Sequence, residues 1–237
     1  MSGASRFGFF VIIATLAASP AAAADIATPL EPLPPPPPTF FVHAGALGSY
    51  AQANAQPTGG GVFTGISNIA IPPVYTLVVE TGYYVTPNFA VDFATAVPPV
   101  THFKATGLIQ EPILRSDLLG SARYGELALL LQYWFTQFGP LQPYLGAGGG
   151  FALNFANISD GILQNVHWDQ NFAFILQAGA DYMITPNWGA FVDAKKVWFA
   201  TDLFGFATSP FTTLPLPTSA HVRVDPWVAD VGITFKY

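Results

Sequence analysis

Most of the interior-seeking charge in this chain is spaced to meet in one place. Glu80, Asp92, Glu126, Gln132, Asn154, Gln177, Asp181, Asp193, Lys195, Asp230, Thr234 and Lys236 sit at alternate positions within otherwise apolar runs. Alternation with a period of two places such residues on one face of a strand. Charges gathered on an enclosed face must pair with one another or stay wet, since an isolated ion in an apolar interior is costly. Two outcomes follow. Lys195 and Lys236 could neutralise the carboxylates in a structural network. Alternatively, the group could form a polar plug below an apolar funnel, blocking ions and diverting apolar solutes sideways. The funnel would be built from Val78, Ala94, Leu130 and Val197, with Phe103, Leu108, Ile109 and Ile113 above them.

Other chemistry is poorly represented. The four histidines, His43, His102, His167 and His221, are scattered, and none neighbours a serine on its own strand face. A nucleophile with an adjacent base is therefore not indicated, and no enzyme is expected. His102, His167 and His221 fall near predicted loops and could meet in a surface metal site, but no acidic cluster stands at ligand spacing, so no metal or other cofactor is expected. The glycine runs Gly59-Gly60-Gly61 and Gly148-Gly149-Gly150 lack the Lys-Ser/Thr of a phosphate-binding loop. Within a strand, the second run suits close packing or sharp curvature.

The elements that position these residues are legible from the final segment backwards. In Trp227 to Tyr237, the residues Trp227, Ala229, Val231, Ile233, Phe235 and Tyr237 share one face, opposite Val228, Asp230, Gly232, Thr234 and Lys236. A strand that is apolar on one side, polar on the other and ends on an aromatic residue suits a wall between lipid and a lumen. Composition agrees. Only 9% of residues are charged, against 51% hydrophobic and 15% aromatic, where a soluble domain carries about 25% charged residues. Yet the longest later apolar stretch, Phe172 to Ile184, is interrupted by Gln177, Gly179 and Asp181. No segment after the amino terminus offers a helical span.

Residues Met1 to Ala24 read as a signal peptide. Arg6 supplies the positive region, Phe7 to Ala18 the short apolar region, and Ala22-Ala23-Ala24 the cleavage motif before Asp25. Its removal takes away one positive charge from a formal net charge of −6, which argues against nucleic acid as a partner. There is no cysteine, which suits passage through an oxidising compartment without thiol chemistry. Residues 25–39 carry five consecutive prolines, Pro34 to Pro38, and read as an extended periplasmic lead.

Eight strands are predicted: Phe40 to Tyr50, Tyr75 to Val85, Phe89 to Val97, Tyr124 to Phe135, Tyr144 to Phe155, Phe172 to Ile184, Ala190 to Phe199 and His221 to Tyr237. Tight turns, Thr86-Pro87-Asn88 and Thr185-Pro186-Asn187 among them, alternate with long links of about 24, 25, 15 and 20 residues. That rhythm defines the fold class: all-β, an eight-stranded antiparallel transmembrane up-and-down β-barrel over residues 40–237, with both termini in the periplasm. Tyr83, Tyr84, Tyr133, Trp134, Tyr144, Tyr182, Trp188, Trp198, Trp227 and Tyr237 lie near strand ends, as an interfacial girdle would. The links are themselves apolar, with Ile66, Ile69, Ile71, Phe204, Phe206, Phe211 and Leu214. Such patches bind solutes, pack on one another or meet lipopolysaccharide.

An ordered set of short motifs carries a resemblance. His221-Val222-Arg223-Val224-Asp225-Pro226-Trp227 resembles the element that opens the last strand of OmpW-family outer-membrane proteins. Phe41-Val42-His43-Ala44-Gly45, Pro98-Pro99-Val100-Thr101-His102, Pro143-Tyr144-Leu145-Gly146-Ala147-Gly148, Gly179-Ala180-Asp181-Tyr182 and Asp193-Ala194-Lys195-Lys196-Val197-Trp198 agree in the same order. The resemblance spans Phe40 to Tyr237. It implies a monomeric barrel in the bacterial outer membrane that passes small hydrophobic molecules, with lateral exit into the lipid leaflet. The alternative is a structural or adhesive barrel with a sealed lumen and functional loops. The resemblance further implies that Phe235 and Tyr237 form the signal read by the barrel-assembly machinery, with membrane lipids and lipopolysaccharide as surroundings. Two departures stand out. His43 occupies a position where arginine is common, and Ala94 and Val197 fall where larger constriction residues occur, so the constriction is expected to be wider or displaced.

Overall fold

The computed structural model describes residues 38–57, 68–106, 118–158, 161, 163–209 and 212–237. The predicted signal peptide, the lead up to residue 37, and Ile66, Leu108, Ile109, Ile113 and Phe211 lie outside the described residues, as does the side chain of Leu214. Eleven strands form one sheet: β1 (Phe40–Pro57), β2 (Asn68–Tyr84), β3 (Phe89–Ala96), β4 (Val100–Thr106), β5 (Leu118–Trp134), β6 (Leu141–Ile158), β7 (Leu163–Trp168), β8 (Phe172–Met183), β9 (Trp188–Ser209), β10 (Thr212–Val224) and β11 (Trp227–Lys236).

Antiparallel pairing closes a ring of eight, β1-β2-β3-β5-β6-β8-β9-β11 and back to β1. The closing ladder runs from Phe41↔Lys236 to Tyr50↔Trp227. A closed ring leaves no unpaired edge, the condition for β-structure to cross lipid. The remaining strands β4, β7 and β10 continue three of the barrel strands beyond interruptions at 97–99, 169–171 and 225–226. The span predicted as His221 to Tyr237 divides at Asp225-Pro226, where proline has no N–H to donate.

The strands also reach further than predicted. β1 and β2 remain paired up to Asn54↔Asn68, and β9 and β10 up to Thr212↔Ser209. Much of what reads as apolar loop is in fact the upper wall of the barrel. Ile69 and Ile71 point inward and are buried, while Phe204 and Phe206 are exposed.

The faces are inverted relative to a soluble protein. Leu77, Val79, Leu129, Leu131, Leu145, Val192, Val231 and Ile233 are exposed on the outside, whereas Glu80, Asp92, Asp181, Asp193, Lys195, Asp230 and Lys236 are buried within. Only lipid outside makes this arrangement favourable. Three aromatics predicted for the interfacial girdle face inward instead. Trp134 and Tyr144 are fully buried, and Tyr84 packs against Trp134. Their parity explains it, since Trp134 follows the inward Gln132 by two residues and Tyr84 follows Glu80 by four.

Candidate functional site

The lumen is layered. At the end that holds the short turns and both termini of the barrel, Phe41, Ala90, Trp134 and Tyr144 form an aromatic base. Above it lies the charged layer. Lys195 is its hub: Nζ lies 2.6 Å from Glu80 Oε1 and 2.8 Å from Asp193 Oδ1, and also contacts Asp230 Oδ2. Those three acids bring carboxylate oxygens within 4.8 Å of one another, a spacing that could hold a metal ion, and the Lys195 ammonium already serves all three.

A second hub is His43, whose Nδ1 lies 3.1 Å from Glu80 Oε2 and whose Nε2 lies 3.1 Å from Asp181 Oδ1. Its ring stacks on Phe191, with centroids 4.2 Å apart and planes 7° from parallel. Asp181 is also held by Lys236 Nζ at 2.9 Å and by the Thr234 hydroxyl, which donates at 3.0 Å. Lys236 lies 4.0 Å above the Trp134 ring and donates to Gln142 Oε1 at 2.6 Å.

The amides complete the layer. Gln132 Nε2 donates to Asp92 Oδ2 (3.1 Å) and Gln177 Oε1 (2.8 Å), and Trp134 Nε1 donates to Gln132 Oε1 (3.0 Å). Gln177 Nε2 and the Tyr144 hydroxyl both donate to Asp193 Oδ2. Ten of the twelve predicted interior residues thus meet in one connected cluster: Glu80, Asp92, Gln132, Gln177, Asp181, Asp193, Lys195, Asp230, Thr234 and Lys236. Asn154 sits higher, opposite Tyr124, and Glu126 makes no ion pair with the cluster among the described residues, although the Lys195 charge acts on it through space. Sequence reasoning missed His43 as a member. The available signal was its phase, two residues after the inward Phe41 on an alternating strand.

Over the charged layer sits an apolar one, with Ala94, Ala128, Leu130, Ala173, Ile175, Val197 and Val228 packed together. Val78 is also buried, at 3% exposure. Of the predicted funnel residues, Ala94 and Leu130 therefore belong to this packed floor. Val197 and Phe103 line the space above it, a cavity of about 150 Å³. Ile69, Ile71, Leu119, Leu163, Phe199 and Leu203 supply much of its apolar wall. Among the described residues, Glu126 and Asp169 are the charged ones on its lining.

At the depth of Tyr124 and Glu126 the barrel wall is incompletely laddered. β3 pairs with β5 up to Thr95↔Leu127, and pairing resumes only at Val100↔Arg123. On the other side, β2 pairs with β3 up to Val78↔Ala96 and with β4 from Ala70↔Lys104. Pro98-Pro99 and Pro72-Pro73 lie within these gaps and lack the N–H groups that would fill them. Isolated bonds bridge the margin: Val97 N donates to Leu77 O (2.9 Å), and the Thr76 hydroxyl donates to Val97 O (2.7 Å). The Phe155 ring and Pro98 crowd over Gly125, where an added Cβ would lie 2.8 Å from the ring and 3.2 Å from Pro98 Cγ.

The rim histidines do not converge. His221 Nδ1 lies 2.7 Å from Asp202 Oδ1, on β10 and β9, while His102 is on β4 and His167 on β7. His102 does have a serine neighbour across the ladder, because pairing of β4 with β5 sets it opposite Ser121, with Nδ1 and Oγ 2.6 Å apart. Among the described residues no carboxylate is hydrogen-bonded to His102 to complete a catalytic triad.

Comparisons with known proteins agree with this geometry. The model of the OmpW family matches residues 39–237. Outer membrane protein AlkL of Ectopseudomonas oleovorans is 30% identical over 179 residues, 76% of this chain and 73% of that protein. Its structure in lipid bilayers superposes with a TM-score of 0.60, covering 84% of this chain and 90% of AlkL. The dibenzothiophene metabolism operon protein PahQ of Pseudomonas aeruginosa is 27% identical over 157 residues, 66% of this chain and 69% of PahQ. The outer membrane protein OprG of Pseudomonas aeruginosa shares the fold, with a TM-score of 0.71 at 18% identity over 84% of this chain and 96% of OprG. Matches to curated relatives span between 64% and 73% of those relatives' own length. An inverted eight-stranded ring and the family match over residues 39–237 lead to one assignment: the chain is a bacterial outer-membrane β-barrel and belongs to the OmpW family.

Proposed function

We propose that this protein is a passive channel for small hydrophobic molecules, which enter the apolar cavity from the outer end and leave sideways into the membrane. The observation that carries the reading is the stacking of an apolar cavity on a buried ionic layer, at the depth where the wall ladder is broken. The axial route ends in a network whose members are buried and mutually bonded. An apolar solute gains nothing from crossing it, since the ions would have to part from their partners. The broken ladder between β3, β4 and β5 offers a route with no such cost. The name of PahQ, which places that relative in an operon for metabolism of an aromatic hydrophobe, is consistent with a hydrophobic cargo.

In this reading Val197 and Phe103 guide the solute, Glu80, Asp92, Asp181, Asp193, Lys195, Asp230 and Lys236 seal the axis, and the barrel acts as a monomer. Lipopolysaccharide surrounds the outer wall, and the barrel-assembly machinery reads Phe235 and Tyr237. The continuity of the ionic layer also suits a second reading, a structural or adhesive barrel whose lumen is sealed. Planar-bilayer recording together with entry of a hydrophobic fluorescent probe into cells separates the two. The channel reading expects faster probe entry with the protein present and no ion conductance. Absence of both would favour the sealed barrel.

A further inference from the structure

We infer that the cavity selects its solutes by charge, taking neutral or cationic apolar molecules and rejecting anionic ones. The inference rests on the reading of the cavity as a solute site. Its volume, about 150 Å³, is comparable with apolar protein cavities that hold a single benzene ring. Among the described residues the charged ones on its lining, Glu126 and Asp169, are both acidic.

Glu126 is the telling one. Among the described residues no cation pairs with its carboxyl group. Two inward positions on the same strand, Ala128 and Leu130, separate it from the charged layer below. The nearest lysine layer has nothing to spare: Lys195 is shared among Glu80, Asp193 and Asp230, and Lys236 is held by Asp181. That layer contains five buried carboxyl groups, Glu80, Asp92, Asp181, Asp193 and Asp230, against Lys195, Lys236 and His43. Acidic groups therefore stand both beside and beneath a bound molecule: an ammonium would supply the partner that a Glu126 carboxylate lacks, whereas an anionic solute would bring a further uncompensated charge into surroundings of low dielectric.

One donor faces the other way. Trp168 Nε1 is buried without a hydrogen-bond acceptor, and its indole lines the cavity with Tyr124 edge-on at 6.0 Å. A neutral solute with a hydroxyl oxygen can accept from this N–H, and a hydroxyl or ammonium hydrogen can be donated to Glu126. A carboxylate solute could use the tryptophan but would add a second acidic group where Glu126 already lacks a cation.

Three one-ring probes of matched size test the inference: benzyl alcohol, benzylammonium and benzoate, titrated into the full-length barrel in lipid nanodiscs. The readout is the Trp168 indole N–H resonance, assigned by its loss in W168F. Wild type should bind the alcohol and the ammonium, with benzoate weaker by at least about tenfold. Glu126→Gln keeps the side-chain shape and should bring benzoate close to benzyl alcohol while weakening benzylammonium. Glu126→Lys should favour benzoate. Benzoate binding as tightly as benzyl alcohol to wild type, or an unchanged ranking in Glu126→Gln, would overturn the charge filter alone. Failure of all three probes to shift the Trp168 signal would overturn the solute-site reading with it.

Discussion

The ammonium of Lys195 lies 2.6 Å from Glu80 Oε1, joining β9 to β2 across the interior of the barrel. The same nitrogen holds Asp193 and Asp230, so one cation restrains three carboxyl groups from three strands. Replacing Lys195 with Met should leave those acids uncompensated and destabilise the barrel by about 3–5 kcal/mol. Urea unfolding in liposomes, followed by tryptophan fluorescence, measures it. An unchanged midpoint would mean that the layer is not held by its ions.

His43 bridges Glu80 and Asp181 with its two ring nitrogens while stacking on Phe191. His43→Leu removes both bridges and should cost about 2–4 kcal/mol in the same unfolding assay, since buried acceptors are left without their donor. His43→Arg should lose much less, because a guanidinium can serve two carboxylates and stack on an aromatic face. Equal losses in the two variants would assign the role of His43 to packing alone.

The Phe155 ring lies over Gly125 on the outer side of the broken ladder, beside Pro98. Phe155→Ala removes this cover without touching the ionic layer. Entry of a hydrophobic fluorescent probe should rise by about two- to fivefold, with unchanged stability, as expected for an exposed lipid-facing side chain away from buried features. A slower rate would show that the ring guides the solute rather than covering the opening.

Tyr237 closes the barrel: its N–H donates to Phe40 O at 3.0 Å, and Phe40 N–H donates to Tyr237 O at 2.9 Å. Deleting Tyr237 should lower the amount of folded protein in the outer membrane severalfold while leaving probe entry per folded barrel near the wild-type rate. Heat-modifiable electrophoresis of membrane fractions measures the first quantity. Normal levels would remove Tyr237 from the assembly signal.

The ring of eight and ten members of the polar cluster were legible because both depend on period-two alternation, a local property of the chain. Trp134 and Tyr144 were misplaced because position near a strand end says interface, while only strand phase says inside or outside. His43 was missed for a related reason: a lone histidine carries no signal until pairing sets Glu80 directly opposite it. The isolation of Glu126 was equally hidden. Whether a carboxyl group joins an ionic layer depends on its height in the barrel, and height follows from stagger between neighbouring strands rather than from any one of them. The upward extension of the wall escaped notice because Ile69 and Ile71 lie in a stretch broken by Pro72-Pro73, and diproline reads as loop.

The sideways route is tested most directly at its wall. Pro98→Ala with Pro99→Ala returns two N–H donors to the gap between β3, β4 and β5, allowing the ladder to continue. The measurement is the initial rate of hydrophobic probe entry into cells carrying equal amounts of folded wild-type or variant barrel. Entry through the variant should fall to about the rate of cells without the protein. Entry as fast as wild type, with hydrogen exchange confirming that the restored amides are bonded, would contradict lateral passage at this seam.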